Sequence, residues 1–296
     1  MGESTRMVSK CGSRFPVRSQ LSNTLVFNIP ARHLEAYRGR DLIVRSATPR
    51  EVIDNLSPSD LTRVRFLQLL SMPEDTSDLE AWGEGIPIDL VMKDPVAEFA
   101  QLYNYTNLLD THPVRVSIPV VPGFSKAAKL AVSLSFAVQL QMEQPDSVLI
   151  EELTELLDLY LHRGSVNQPI EFFHTVLLSF YQEQPASLWE IAEEDPAQVR
   201  YVTDDGEETI SPRFADAVFG AGLDDFVERY GRELISEKRE CHDCEFFSRC
   251  GGYFKWPEKL YDCKGVKTLF MKLRSAADEV KTDLATFSAV GGGPPP

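Results

Sequence analysis

A chain of 296 residues that is 43% hydrophobic and 25% charged has the composition of an ordinary globular protein, with material for one large domain or two modest ones. Its formal net charge of -15 argues against binding along a phosphate backbone or docking on anionic membranes, so neither nucleic acid nor membrane is expected as a partner; a basic peptide or protein fits better. No run approaches the roughly 18 apolar residues of a membrane span. The first residues lack the apolar core of a signal peptide, and Arg6 stands where a myristoylation pattern needs Ser or Thr. A cytoplasmic location, where thiols stay reduced, is the resulting expectation.

In chain order, Leu25 to Ile29 reads as a short apolar strand, Ala31 to Tyr37 as a helix and Leu42 to Val44 as a second strand. Thr48, Pro49 and Glu51 predict a helix start with a capping box. Strands are predicted at Val64 to Leu70 and Ile88 to Met92, then a helix from Pro95 to about Leu109. Val114 to Val121 is short and β-branched; a Pro122-Gly123 turn follows, with Ser125 capping a helix to Leu134. Phe136 to Leu140 gives another strand. Asp146 then caps a helix with Leu149, Leu153, Leu156, Leu157 and Tyr160 on one face. This alternation implies parallel strands with right-handed crossovers. About four to five units fit before residue 183, short of an eight-fold barrel.

Past Gln184 the character changes. Arg200 to Ile210 reads as a hairpin with Asp205-Gly206 at its turn. Helices are predicted over Phe226 to Ser236 and Val266 to Leu284, before a Gly- and Pro-rich end.

Four of the five cysteines fall between 241 and 263, spaced C-x2-C-x5-C-x12-C: Cys241, Cys244, Cys250 and Cys263. Two thiols two residues apart can ligate one centre, and Gly251-Gly252 lets backbone approach a bulky group. Four thiolates suit a [4Fe–4S] cluster and also structural zinc; unligated or disulfide-bonded thiols are the third reading. Phe246, Phe247, Tyr253, Phe254 and Trp256 form either the core of the loop or a water shield for the group. Lys255, Lys264 and Lys267 could offset its charge. Cys11 has no evident partner.

The stretch resembles the C-terminal half of a SPASM domain, the auxiliary-cluster domain of radical SAM peptide-modifying enzymes. Cys241, Cys244 and Cys250 match the first three cysteines of that family's C-x2-C-x5-C-x3-C group, and Cys263 matches its final cysteine, though it comes earlier than usual. The fourth position of the group holds Phe254. Upstream, Gly206 is followed by Ser211 where the family has cysteine. The resemblance implies that one auxiliary [4Fe–4S] site is kept, held by Cys241, Cys244, Cys250 and Cys263, and the other erased.

The C-x3-C-x2-C motif that a radical SAM enzyme needs is missing, since Cys11 is alone in the N-terminal half. Leu70 to Pro73 stands where the family's Gly-Gly-Glu motif would lie. S-adenosylmethionine is therefore not expected to bind. Other catalytic patterns are weak. His33, His112, His162, His174 and His242 are scattered; His174 reads as a packed core residue and His242 as a solvated one. Glu151-Glu152 and Glu193-Glu194-Asp195 read as solvated helix faces.

The expected protein is α/β: a partial (βα) barrel-like domain over 1–185, a small SPASM-like cysteine-rich α+β domain over 186–285 and a flexible tail over 286–296. Its expected role is a non-radical-generating accessory subunit in peptide or protein maturation, of the kind that modifies ribosomal peptides. It would bind a peptide substrate or companion maturation enzyme in a hetero-oligomer and relay electrons or support the fold. An enzyme using another metal or cofactor in the barrel and a zinc-stapled adaptor are the alternatives.

Overall fold

Apolar runs too short for buried helices, alternating with helical stretches, become adjacent parallel strands. The computed structural model describes residues 25–72, 75–83, 85–214 and 224–289; Cys11 and the Gly- and Pro-rich end lie outside the described residues. Strands β1 (Val26–Pro30), β2 (Asp41–Ser46), β3 (Val64–Leu69), β4 (Ile88–Val91), β5 (Val114–Pro119) and β6 (Ala137–Gln141) pair in chain order, all parallel. The two-residue β7 (Ile170–Glu171) continues the sheet beyond β6, and β8 (Val199–Val202) joins parallel on the other side of β1. Strand β9 (Glu208–Thr209) folds back antiparallel on β8. The described residues thus form an α/β structure around a nine-stranded, mostly parallel sheet in the order β7-β6-β5-β4-β3-β2-β1-β8-β9.

Seven parallel strands precede residue 183, more than the four to five units expected. The two residues of β7 are too few to show a period. The β1–β2 connection is a tight 3-10 turn over Ala31–Tyr37, where a helical crossover was expected.

Helix α1 (Pro49–Asn55) begins after an extended Thr48, but Thr48 makes no side-chain cap. Instead the Ser46 hydroxyl donates to the Thr48 carbonyl and also meets the Glu51 carboxylate, so the expected capping box is replaced by a Ser46 hub. Helix α2 (Phe124–Ser133) is preceded by Gly123 at φ 87°, and Ser125 lies inside it, buried. Gly123 is needed because the turn enters the left-handed region. Helix α3 (Ser147–His162) starts as expected, with Asp146 accepting from the Leu149 N–H at 2.9 Å, and buries Leu153, Leu156, Leu157 and Tyr160. Helix α4 (Phe173–Tyr181) carries His174, buried and hydrogen-bonded to the Tyr160 hydroxyl at 2.8 Å, as a packed core histidine should be. Helix α5 (Phe226–Ser236) precedes the cysteine loop, and α6 (Lys264–Ala289) follows it to pack on α3 and α4. Among the described residues, no helix is long and apolar enough to cross a membrane.

Strands β2 to β5 are near-continuous apolar runs, as sheets covered on both faces require. Each is interrupted by a polar residue, and pairing aligns these: Arg45 opposite Gln68, Gln68 opposite Asp89, Asp89 opposite Arg115. Strand alternation puts such a row on one face. Asn28 donates to Gln68 at 2.9 Å, Gln68 to Asp89 at 2.9 Å, and Ser117 to Asp89 at 2.7 Å. Arg115 bridges Asp89 at 2.8 Å and, with both terminal nitrogens, Glu193 at 2.9 Å. Its guanidinium lies 3.8 Å from the centre of the Phe66 ring. Burial opposes the Arg115 charge, but Asp89 and Glu193 outweigh it and hold the pKa above its ordinary value. Glu193 was read from sequence as part of a solvated helix face. It is buried at φ 62°, and the Arg115 ion pair explains its burial.

Removing one member of a buried ion pair strands the other charge, at a cost of about 3–5 kcal/mol. Arg115→Met should lower unfolding free energy in urea by that order, and a loss under about 1 kcal/mol would show that Asp89 and Glu193 are not charged and paired.

Candidate metal centre

The cysteine loop is built from consecutive tight turns. The Cys244 N–H donates to the Cys241 carbonyl at 3.3 Å and the Phe247 N–H to the Cys244 carbonyl at 3.0 Å. A single helical turn, Phe247–Cys250, then ends at Gly251 (φ 57°) and Gly252 (φ 79°). Cys263 sits immediately before α6 and accepts from the Lys267 N–H at 2.8 Å.

All four cysteines are free thiols, with Cys241 and Cys263 buried and Cys244 and Cys250 half-buried. They line one small cavity of about 20 Å³, walled by Phe246, Phe247, Phe254, Val266 and Phe270. Burial raises the Cys241 pKa, and pushes Cys250 up to about 11 and Cys263 up to about 12. Among the described residues, no three His, Cys, Asp or Glu side chains form a group able to hold a metal ion.

Glu240, Lys255 and Lys267 also line this cavity, and Lys264 does not. Lys255 Nζ donates to Glu240 at 2.6 Å, and Lys267 pairs with it at 2.8 Å. Partial burial would raise the Glu240 pKa, but the two ammonium groups overcome this and push it down to about 2. His242 is exposed and paired with Asp243 at 2.8 Å, off the cavity wall, as a solvated loop residue.

Two expectations need correction. The Gly252 backbone N–H donates to the Cys250 sulfur, but the open side of each glycine faces away from the thiols. A Cβ at Gly251 would come within 3.1 Å of the Trp189 ring, and one at Gly252 would collide with Leu234. Nor do all five aromatics enclose the thiols. Tyr253 and Trp256 turn the other way, into a cluster with Trp189, Phe214 and Tyr230.

The loop is fastened to the sheet. The Tyr253 hydroxyl donates to the Met142 carbonyl at 2.8 Å, and the Tyr261 hydroxyl to the Pro145 carbonyl at 2.6 Å. Gln144 donates to the carbonyls of Phe254 and Glu258, each at 2.9 Å. Arg213 donates to the carbonyls of Tyr253 at 2.9 Å and Trp256 at 2.8 Å while pairing with Glu194 at 3.0 Å. Glu194 too was read as solvated; Arg213 draws it inward, although burial still raises its pKa. Arg249 reaches from the loop to Ser179 on α4 at 2.9 Å.

Several of these fastening residues also wall a second cavity of about 1100 Å³. It opens over the carboxyl ends of the parallel strands, with Arg45, Leu70, Val91, Pro119 and Gln141 on one side and Arg213 and Tyr253 on the other. One polypeptide loop therefore separates the thiol cavity from the larger one. The polar row beneath the large cavity was missed from sequence. Its signal is a polar residue set within each apolar strand: Asn28, Arg45, Gln68, Asp89, Arg115 and Gln139.

With their thiol pKa values raised by burial, Cys250 and Cys263 should be protonated at neutral pH in metal-free protein. Iodoacetamide should label them more slowly than free cysteine by roughly two orders of magnitude. Unfolding should restore labelling, and fast labelling of the folded protein would contradict the burial. Comparison of the chain with protein-family models, with curated proteins and with solved structures finds no match.

Proposed function

We propose that Cys241, Cys244, Cys250 and Cys263 hold a [4Fe–4S] cluster in a protein that acts as an accessory subunit in peptide or protein maturation, alongside a companion enzyme. The carrying observation is that four free thiols surround a single, largely apolar cavity. The donor set is all thiolate, which suits iron–sulfur ligation. Lys255 and Lys267 supply positive charge at the wall. When bound, such a cluster would supply electron transfer or structural cross-linking. With all four protein ligands engaged, it offers no open iron to a substrate.

The protein's own residues set the environment. Phe246, Phe247, Phe254 and Phe270 keep water from the sulfurs, a lever on cluster potential. The Tyr253, Gln144 and Tyr261 bonds fix the loop to the chain leaving β6.

For the sheet, we propose an incomplete (βα) barrel. Eight parallel strands run in chain order with β8 beside β1, the arrangement barrel closure requires. In place of a β7–β8 ladder, the chain around Ile191 and Glu193 spans the interior, taking bonds from Gln139 and Arg115. The cavity at the strand carboxyl ends then lies where such folds bind ligands, and it is the surface offered to a peptide or partner. Lacking any second cysteine near Cys11 in sequence, the chain has no thiolate trio for cleaving S-adenosylmethionine.

Anaerobically purified protein should be brown and contain iron and inorganic sulfide at about four each per chain. Serine replacement of any one of the four cysteines should lower both. Colourless protein with stoichiometric zinc would overturn the cluster and favour a zinc-stapled adaptor.

A further inference from the structure

We propose that the free edge of β9, with the acidic turn before it, receives an extended basic segment of a partner protein as an added strand at the wall of the larger cavity. This deepens the reading of that cavity as a partner surface and rests on it, but not on the identity of the metal.

Among the described residues, strand β9 ends the sheet and pairs with β8 alone. Thr209 is opposite Tyr201, and the Thr203 N–H donates to the Glu207 carbonyl at 2.8 Å. Antiparallel pairing alternates the direction of the peptide groups. With Glu207 and Thr209 bonded to β8, the N–H and carbonyl of Ile210 point away from it. Among the described residues, neither group has a backbone partner, although Ile210 is only 5% exposed. An unpaired strand edge is a ready template for a further strand. Thr209, Ile210 and Ser211 line the larger cavity, which gives an added strand somewhere to lie. Strand addition uses main-chain bonds for affinity and alternate side chains for selection.

Charge selects the occupant. The turn reads Asp204-Asp205-Gly206-Glu207-Glu208. Asp204 is paired with Arg32 at 2.7 Å, and Glu208 accepts from the Tyr37 hydroxyl at 3.2 Å. Asp205 and Glu207 are exposed and make no ion pair among the described residues, and Glu143 is exposed on the cavity wall. On the cavity wall Arg213 is paired with Glu194, and Arg45 donates to Asn28 and the Val202 carbonyl. A segment with lysine or arginine at alternate positions meets these carboxylates.

The test is fluorescence anisotropy on the full, metal-loaded chain, with a short labelled peptide of alternating lysine and valine. The peptide should bind. Affinity should fall about tenfold, near 1.4 kcal/mol, when alternate peptide nitrogens are methylated, and by a similar factor in the doubly substituted Asp205→Lys, Glu207→Lys protein. A glutamate–valine peptide should bind more weakly than the lysine one to the unsubstituted chain and more tightly to the substituted one. Binding insensitive to methylation would reduce the effect to surface charge and overturn strand addition; binding insensitive to the substitutions would overturn the basic occupant. A dimer that forms through this edge and competes with the peptide would assign the edge to a second copy and also overturn the proposal. Zinc-containing protein that still binds the peptide would refute the cluster alone, whereas iron-loaded protein that ignores the peptide would refute this inference alone.

Discussion

The cysteine loop depends on the hydrogen bonds that fasten it to the chain leaving β6. A loop of tight turns and two left-handed glycines has little intrinsic reason to keep four thiols around one space. Tyr253, Gln144 and Tyr261 supply that reason by bonding across to Met142, Phe254 with Glu258, and Pro145. Arg213 adds a second clamp, donating to two loop carbonyls while Glu194 balances its charge. Each contact satisfies a polar group in a mostly buried setting, where an unmade bond is costly. Met142, Gln144, Arg213 and Tyr253 also wall the larger cavity, so the bonds that fasten the loop form part of that wall.

Beneath that cavity, the sheet solves a different problem. Parallel strands covered on both faces favour apolar residues, yet a row of polar side chains crosses six of them. Those groups are tolerable because each finds a partner, Gln139 at the Ile191 carbonyl and the others within the row, and the Arg115 charge is shared between two carboxylates. Such a network contributes definition more than stability, since an apolar replacement of similar shape can be as stable. What it gives the cavity is a floor whose donors and acceptors are fixed in place.

Much of this was legible in the amino-acid sequence. Alternating β-branched runs and amphipathic segments predicted the parallel strands from Val26 to Gln141, and the Asp-Gly turn predicted the β8–β9 hairpin. The cysteine spacing identified the four thiols that share one cavity. The failures have physical causes. Two residues of β7 cannot display a period. Glu193 and Glu194 look solvated in a run of acids, because their arginine partners lie 78 and 19 residues away. Gly251 and Gly252 suggested backbone approach to an inorganic group; the Gly252 N–H does reach the Cys250 sulfur, while packing against Trp189 and Leu234 is what excludes a side chain at either position. Long-range pairing decided each of these cases, and local sequence does not encode it.

The account turns on what the four thiols hold. X-ray absorption on anaerobically purified chain reads the answer from the metal outward, independent of any activity. The account predicts iron with a sulfur-only nearest shell and an iron–iron contribution beyond it. Zinc with four sulfur neighbours and no metal–metal contribution, or thiols carrying no metal at all, would contradict it.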